Sequence, residues 1–471
     1  MAIESVVMLN DFCHAQGGAS RVAISEAIAL QDLGVQVLFL GAVGPVCQEL
    51  LDSGVRVVCL DQSALADAKS DPRAALAAMW NQTAYRTLRW MLAALDRRRT
   101  IVHLHGYTKA LSTAPVTAAR RAGFVTICTL HDFFAACPNG AFFNYRQQAP
   151  CTLRALSSAC LFTPCDKRHA VHKAYRVVRG AMQRRLARFP SGVGHYISLS
   201  RRSATLLRPY LPNNAQLYPL TNIIDVQREK PVDPGANRNL MVIGRLDEEK
   251  GVLLAAQAAA AARLPIVFVG DGPYRCEIEA TGARVTGWLS AAEVYRELNA
   301  ARCLVFPSLW YETFGLVVAE AAARGVPAIV SDISAPADRI TDGQNGWLFR
   351  AGDLADLTER MLLARDDAAL RAAGAAAYQA YWAAPADPIS HDNALLSIYA
   401  NVLSDNSGAP ATADRAWADN VASARGSAVA SSQRQSTKLT PFVAATARAS
   451  ISAEPNQPTA WQCCSNGRSS R

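Results

Sequence analysis

The sequence predicts an α/β chain of two Rossmann-like halves that face each other across a cleft. Three observations carry this expectation. Apolar runs of strand length alternate with helix-length segments over roughly the first 130 residues, and the same alternation returns after about residue 239. Between the two series, Pro219, Pro231, Pro234 and Gly235 interrupt helix and strand alike. Alternation of this kind implies right-handed crossovers and a parallel sheet covered on both faces.

Taken in order, the first half reads VVML, a helix from about Ala19 to Leu33, VQVLFL, a short helix, VRVVCL, a helix near Trp80 to Leu95, IVHLH, a further helix, and VTICTLH. A basic helical region and the strand-like HYISLS complete it. The second half reads NLMVIG, helix from Lys250, PIVFVG, helix from Pro273, RVTGWL, helix from Ser290, CLVFPS, helix from Leu316, PAIVSD, NGWLF and helix from Leu354. An alanine-rich helical stretch from about Asp366 to Leu403 is interrupted by turns at ADP and ISH, and the Ser, Ala, Thr and Gln beyond it show no sustained periodicity. The expected divisions are residues 1–218 for the first Rossmann-like half and 219–375 for the second. Residues 376–404 are expected to be helices returning toward the first half, and 405–471 a disordered tail.

Half of the 471 residues are hydrophobic and mean hydropathy is +0.05, values of a soluble globular body. The opening MAIESVVMLNDF lacks a basic n-region and a long apolar h-region, and the most apolar stretch is broken by Gln257, Arg263 and Pro265. A cytoplasmic protein is expected, and with it reduced cysteines. Net charge is +9. Between Lys167 and Arg208 eleven basic residues, Arg176, Arg179, Arg184 and Arg185 among them, accumulate almost unopposed, with Val171, Tyr175, Val178, Met182, Leu186 and Phe189 at helical spacing. A basic amphipathic helix is expected there. It reads either as a solvated face or as peripheral contact with an anionic membrane, on the inner face of the plasma membrane; nucleic acid is the weakest partner reading.

The most informative run is PSLWYETFGLVVAEAAARGVPAIVSD: strand end, loop, helix from about Leu316 to Arg324, next strand. On one helix Glu312 and Glu320 would lie about 12 Å apart along the axis. With Glu312 in the loop and Glu320 inside the helix, the two reach different parts of one elongated ligand. Gly315 permits close backbone approach, and the free N–H groups of Phe314, Gly315 and Leu316 at the helix start make an anion site.

With these motifs the chain resembles the retaining glycosyltransferases of family 4, which have the GT-B fold. The resemblance is carried by the E-x7-E spacing of Glu312 and Glu320 and by the order of GRLDEEKG (Gly244 to Gly251), GDGP (Gly270 to Pro273), VTGWL (Val285 to Leu289), PSLWYETFG and DGQNGWLF. The Gly17–Gly18 loop, the His131–Asp132 pair, SLS near Ser200 and the linker motif ending at Asp225 add to it. It spans roughly Val6 to Leu403 and is weaker between Asn139 and Phe189.

The resemblance implies an acceptor-binding first half, a nucleotide-sugar-binding second half, and catalytic roles for Glu312, His131, Arg245 and Lys250. Arg245 and Lys250 would meet the donor diphosphate, Glu312 the donor-sugar hydroxyls, and Glu320 the two ribose hydroxyls. Gly17 and Gly18 would offer N–H groups to the phosphate, and Gly287, Trp288 and Leu289 would line the base pocket. His131 would sit beside the sugar at the reacting face. Read from the residues alone, His131 is equally a scaffold histidine at a strand end, and Gly17–Gly18 a plain strand-to-helix turn.

Cys137, Cys151, Cys160 and Cys165 cluster after HDFFAACP. They read as packed free thiols, as a structural zinc site or as a redox pair, and they lack the paired C-x2-C units of strong zinc signals. The chain contains no D-x-D pair, so a metal-independent mechanism without cofactor is expected, with a nucleotide diphosphate sugar as co-substrate. The implied activity is transfer of a hexose from that donor to a hydroxyl of a glycan or lipid-linked glycan, in bacterial polysaccharide or glycolipid synthesis. The alternatives are a nucleotide-sugar epimerase on the same fold or a sugar-nucleotide-binding protein without turnover.

Overall fold

The computed structural model describes residues 3–65 and 72–405. The expected tail beyond Asp405 lies outside the described residues.

The first half contains β1 (Ser5–Phe12), α1 (Gly18–Asp32), β2 (Gln36–Val43), α2 (Gln48–Asp52), β3 (Arg56–Cys59), α3 (Pro72–Met79), α4 (Gln82–Leu92), β4 (Thr100–Leu104), α5 (Ala114–Arg121) and β5 (Val125–Thr129). A small hairpin of β6 (Phe143–Asn144) and β7 (Ala149–Pro150) follows, then α6 (Ser158–Phe162), α7 (Ala170–Met182), β8 (His195–Ser198), α8 (Arg201–Leu207) and β9 (Gln216–Pro219). Seven strands form one parallel sheet in the order β3-β2-β1-β4-β5-β8-β9. β1 is buried along almost its whole length, which suits a Val- and Leu-rich central strand covered on both faces.

The second half contains β10 (Asn239–Ile243), α9 (Val252–Ala262), β11 (Ile266–Val269), α10 (Arg275–Glu279), β12 (Arg284–Val285), α11 (Ala291–Asn299), β13 (Ala301–Phe306), α12 (Leu316–Arg324), β14 (Ala328–Ser331), β15 (Gly346–Phe349), α13 (Leu354–Leu363) and α14 (Asp367–Ala383). Its six-stranded parallel sheet runs β12-β11-β10-β13-β14-β15. A last helix, α15 (Pro388–Asp405), packs on the first sheet. Its Leu395, Ile398, Tyr399, Val402 and Leu403 are buried among Val6, Met8 and Ile101, a contribution on the order of 10 kcal/mol at about 2 kcal/mol per side chain.

In both sheets the first strand lies between neighbours that leave in opposite directions, at β1/β4 and at β10/β13. Ligands of open α/β sheets bind at such switch points, beyond the carboxyl ends of the strands. Gly17, His105 and His131 follow β1, β4 and β5, whereas Arg245 and Glu312 follow β10 and β13.

Several elements differ from expectation. RVTGWL yields only the two-residue β12, because Gly287 at φ +78° turns the chain out of the sheet. The helix expected near Trp80 to Leu95 is α4, capped by Asn81 through a bond from Ala84 N, and a further helix, α3, precedes it. The ISH stretch belongs to α15, which Pro388 opens.

The basic region is not one amphipathic helix. Beyond α7 it passes through a single wide helical turn at residues 183–187, then β8 and α8. Lys173 and Arg179 are buried: the Lys173 ammonium donates to the carbonyls of Cys160 and Thr163, and Arg179 donates to Thr108 O (2.9 Å) over the Phe134 ring. Arg176 pairs with Asp166 at 2.9 Å, and Arg184 donates to Ala135 O at 3.2 Å. The expected apolar stripe is in part turned outward instead, with Val171, Val178 and Leu186 exposed. Interior carbonyls and carboxylates took the cations because a buried carbonyl needs a donor.

Candidate active site

Glu312 lies in the loop between β13 and α12 and is one of the few non-glycine residues in the left-handed region, at φ +49°. Its carboxylate is buried and accepts from Lys250 Nζ (2.5 Å) and Ser308 Oγ (2.9 Å). A non-glycine residue held there costs about 1 to 3 kcal/mol, which marks a position that the surroundings over-determine. The Lys250 ammonium also lies 5.4 Å from the centre of the Trp310 ring.

Two glycines shape the same place, and a third opens α1 in the first half. Gly315 caps α12 at φ +75°, and a Cβ there would come within 2.6 Å of Pro336. Gly251 opens α9 at φ +65°, where a Cβ would sit 2.0 Å from Pro307 O. Gly17, at φ +88°, opens α1, and a Cβ on Gly17 or Gly18 would meet nothing within 4 Å. Two long-enough helix starts with free N–H groups, α1 and α12, thus belong to different halves.

The loop with Glu312 also touches the first half. Thr313 Oγ1 donates to His131 O at 3.2 Å, and the Trp310 and Tyr311 rings meet Phe133 and Phe142 edge-on. Lys167 bridges to Asp247 (3.0 Å) and Glu249 (3.3 Å), and Arg202 to Asp338 (2.9 Å). Burial brings the His131 imidazole down to about 4, so it is neutral near pH 7, and pushes the neighbouring Asp132 carboxyl up to about 6.

The structure therefore joins Lys250, Glu312 and the backbone of His131 directly. Arg245 is held elsewhere, by Asp247 through one guanidinium nitrogen and by Glu249 at 3.4 Å through another. Glu320 lies within α12, apart from the loop that carries Glu312. Burial raises its carboxyl pKa, an effect opposed by Arg21 of α1. Trp288 is exposed beside Gly287 and Leu289. Phe314 and Leu316 flank Gly315, with the Arg339 guanidinium 4.1 Å from the Phe314 ring centre. Sequence reasoning missed Asp247 and Glu249 as the acids that hold Arg245, and missed Asp11, whose carboxylate accepts four backbone N–H groups from Thr108, Lys109, Ala110 and Leu111. The first two stand inside GRLDEEKG and were legible as acids next to a cation; nothing local marks the third.

Cys137, Cys151, Cys160 and Cys165 are free thiols that do not converge as a ligand set. Asn139 is interposed, accepting from Cys137 Sγ at 3.0 Å, and Lys173 Nζ lies 3.3 Å from Cys165 Sγ. Among the described residues, the group of metal-capable side chains whose ligand atoms lie within 4.8 Å of one another is Glu26, His103 and His105. There the Tyr399 hydroxyl already sits 2.7 Å from His103 Nδ1, where a cation would need the lone pair.

Solved structures similar in fold include Anabaena Alr3699/HepE in complex with UDP, at a TM-score of 0.58 and 15% identity, covering 84% of this chain and 100% of that one. Sucrose-phosphate synthase from Thermosynechococcus elongatus matches at 0.58 and 16%, covering 85% and 100%. The fold is GT-B. Residues 237–367, the second half of this GT-B chain, match the family model described as glycosyl transferases group 1. The chain is 34% identical over 139 residues to the GDP-mannose-dependent alpha-mannosyltransferase of Corynebacterium glutamicum, over 29% of this chain and 33% of that protein. It is 34% identical over 127 residues to the sulfoquinovosyl transferase SQD2 of Arabidopsis thaliana, over 25% of each. The chain thus spans about a quarter to a third of the length of these curated relatives. No helix among the described residues is long and apolar enough to cross a membrane.

Proposed function

We propose that the protein is a retaining, metal-independent glycosyltransferase that moves a sugar from a nucleotide diphosphate sugar to a hydroxyl of a glycan or lipid-linked glycan. The observation that carries this reading is the junction of Lys250 Nζ with Glu312 Oε1 at 2.5 Å, in a loop whose next residue bonds His131 O. One cation, one carboxylate and one histidine loop meet where the helix start at Gly315 faces the first half.

In this reading the diphosphate lies against the N–H groups at Gly315–Leu316 and at Gly17–Gly18, with Arg245 and Lys250 offsetting its charge. Glu312 and His131 take opposite sides of the sugar, Glu320 takes the ribose hydroxyls, and Gly287–Leu289 edges the base. The bond from the anomeric carbon to the phosphate oxygen breaks as the bond to the acceptor oxygen forms on the same face. The acceptor proton passes to the departing phosphate, which keeps the anomeric configuration without a carboxylate nucleophile. The names of the partial relatives, mannosyl and sulfoquinovosyl transferases, favour turnover over a binding protein or an epimerase, and they fit synthesis of bacterial polysaccharide or glycolipid.

The test is a panel of nucleotide sugars with purified protein, read for donor hydrolysis and for transfer to glycan and lipid-linked acceptors. Hydrolysis or transfer with an unchanged anomeric configuration supports the reading. Binding without turnover supports the non-catalytic alternative, and epimerised donor the epimerase.

Peripheral membrane contact is a second part of this reading, now resting on apolar side chains more than on charge. Phe162 is 86% and Val171 77% exposed, with Val178 and Leu186 on the same stretch and Arg168 and Arg185 exposed among them. Apolar side chains flanked by arginines suit the headgroup boundary. Co-sedimentation with anionic vesicles should fall when Phe162 and Val171 are changed to Ser; retention by that variant, or equal binding to neutral vesicles, refutes it.

A further inference from the structure

His131 is backed by a chain of buried titratable side chains for which the donor site has no use. His131 Nε2 faces His105 Nδ1 at 3.1 Å, and the two rings are nearly parallel at 29°. His105 Nε2 lies 3.1 Å from His103 Nδ1 and 3.5 Å from Glu26 Oε2. His103 Nδ1 meets the Tyr399 hydroxyl and its Nε2 the Thr129 hydroxyl, both at 2.7 Å. Glu26 Oε1 meets His391 Nε2 at 3.1 Å, and His391 Nδ1 meets Thr221 O at 2.9 Å. Glu26 is 1% exposed and its Oε2 accepts no hydrogen bond. The chain joins α1, β4, β5, the segment after β9 and α15.

Protons in this chain can be placed from its fixed ends. Thr221 O only accepts, so His391 Nδ1 carries a proton. His391 Nε2 faces a carboxylate oxygen and carries one too, making a buried imidazolium–carboxylate pair. The remaining oxygen of that carboxylate, Oε2, would confront a bare lone pair if His105 Nε2 were unprotonated, with both groups buried. A proton on His105 Nε2 removes the clash. His103 Nδ1 is then an acceptor, for which the Tyr399 hydroxyl is the donor, and His103 Nε2–H donates to Thr129. Burial keeps His105 neutral, so its Nδ1 is bare, and the facing Nε2 of His131 must hold the proton. In this assignment each ring-to-ring contact has one donor and one acceptor.

We propose that Glu26 is a positioning residue: its buried carboxylate, acting through His105, holds His131 as the Nε2–H tautomer and leaves Nδ1 as a hydrogen-bond acceptor. On the glycosyltransferase reading above, the ligand of that lone pair is a hydroxyl of the donor sugar. His131 then accepts from the sugar and has no proton to give at Nδ1.

The decisive measurement is the ring-nitrogen spectrum of protein labelled with ¹⁵N-histidine, with the His131 signals assigned by their loss in His131→Gln. A protonated Nε2 and a bare Nδ1 in the wild type are expected. In Glu26→Gln the amide N–H can donate to His105 Nε2, so the pattern at His131 should reverse, and kcat with an active donor should fall about tenfold or more while the donor KM stays within about twofold. A merely structural Glu26 would lower stability and leave the tautomer alone. The proposal is overturned by a wild-type His131 protonated at Nδ1, by a Glu26→Gln protein with wild-type tautomer, or by stoichiometric zinc in the purified protein, since a cation would displace the His105 Nε2 proton. If Glu26→Gln fails to fold, the wild-type spectrum alone decides. If no donor is ever turned over, the glycosyltransferase reading falls while the spectrum still decides the relay.

Discussion

Replacing Glu312 by alanine and, separately, by glycine should reverse the usual order of stability. Glycine is ordinarily the worse residue by about 0.5 to 1 kcal/mol because its unfolded chain has more freedom. At φ +49°, however, an L side chain carries a penalty of about 1 to 2 kcal/mol that glycine does not. Both variants lose the bonds from Lys250 and Ser308. Bonds to a charged group contribute about 1.5 to 3 kcal/mol each, at the low end here because the Lys250 side chain keeps 24% of its surface in water and is partly re-solvated. The alanine variant should therefore lose about 2 to 3 kcal/mol, and the glycine variant about 1 kcal/mol less than that. Urea unfolding followed by circular dichroism measures the difference. Turnover should drop about 100-fold in both, the scale of losing one group that stabilises developing charge. An alanine variant at least as stable as the glycine variant would refute the strained-backbone argument, and turnover within about twofold of wild type in either would refute the role of the carboxylate.

Glu320→Ala should weaken nucleotide binding about tenfold with a smaller change in kcat, because ribose contacts are made equally in ground and transition states; calorimetric titration with nucleotide diphosphate checks it. Transfer should persist in excess EDTA, since the sequence offers no acid pair to hold a catalytic ion; loss restored by magnesium or manganese would overturn the metal-free route. Burial alone would lower the His391 pKa, but the hydrogen bond and charge of Glu26, with Thr221 O and Asp392, raise it above the usual 6.5. Its stabilising share is then full below pH 6.5 and is lost as pH rises through the raised value. From about pH 6 to about pH 9 the wild type should lose stability relative to His391→Gln in urea unfolding, and an unchanging difference would count against the buried ion pair.

Much of the architecture is set by local spacing and was readable from it. Strand-length runs such as VVML and CLVF specify central strands because every residue in them tolerates burial, and LVVAEAAAR between Gly315 and Gly325 specifies a helix because glycine at each end accepts the left-handed turn. The loop position of Glu312 and the helical position of Glu320 follow from the same pattern. The destination of a charged side chain does not. Lys167, Lys173 and Arg179 look alike in the sequence, yet one spans the cleft to Asp247 and the others are buried against carbonyls, because those partners lie on separate segments of chain. The partner of the Glu312 carboxylate, Lys250, likewise stands 62 residues away. Glu26 and His391 stand 365 residues apart and meet only because α15 crosses back onto the first sheet. Spacing along the chain thus determined which residues share a strand or a helix, whereas only the tertiary structure, by removing water from a few contacts, decided which charges must find one another.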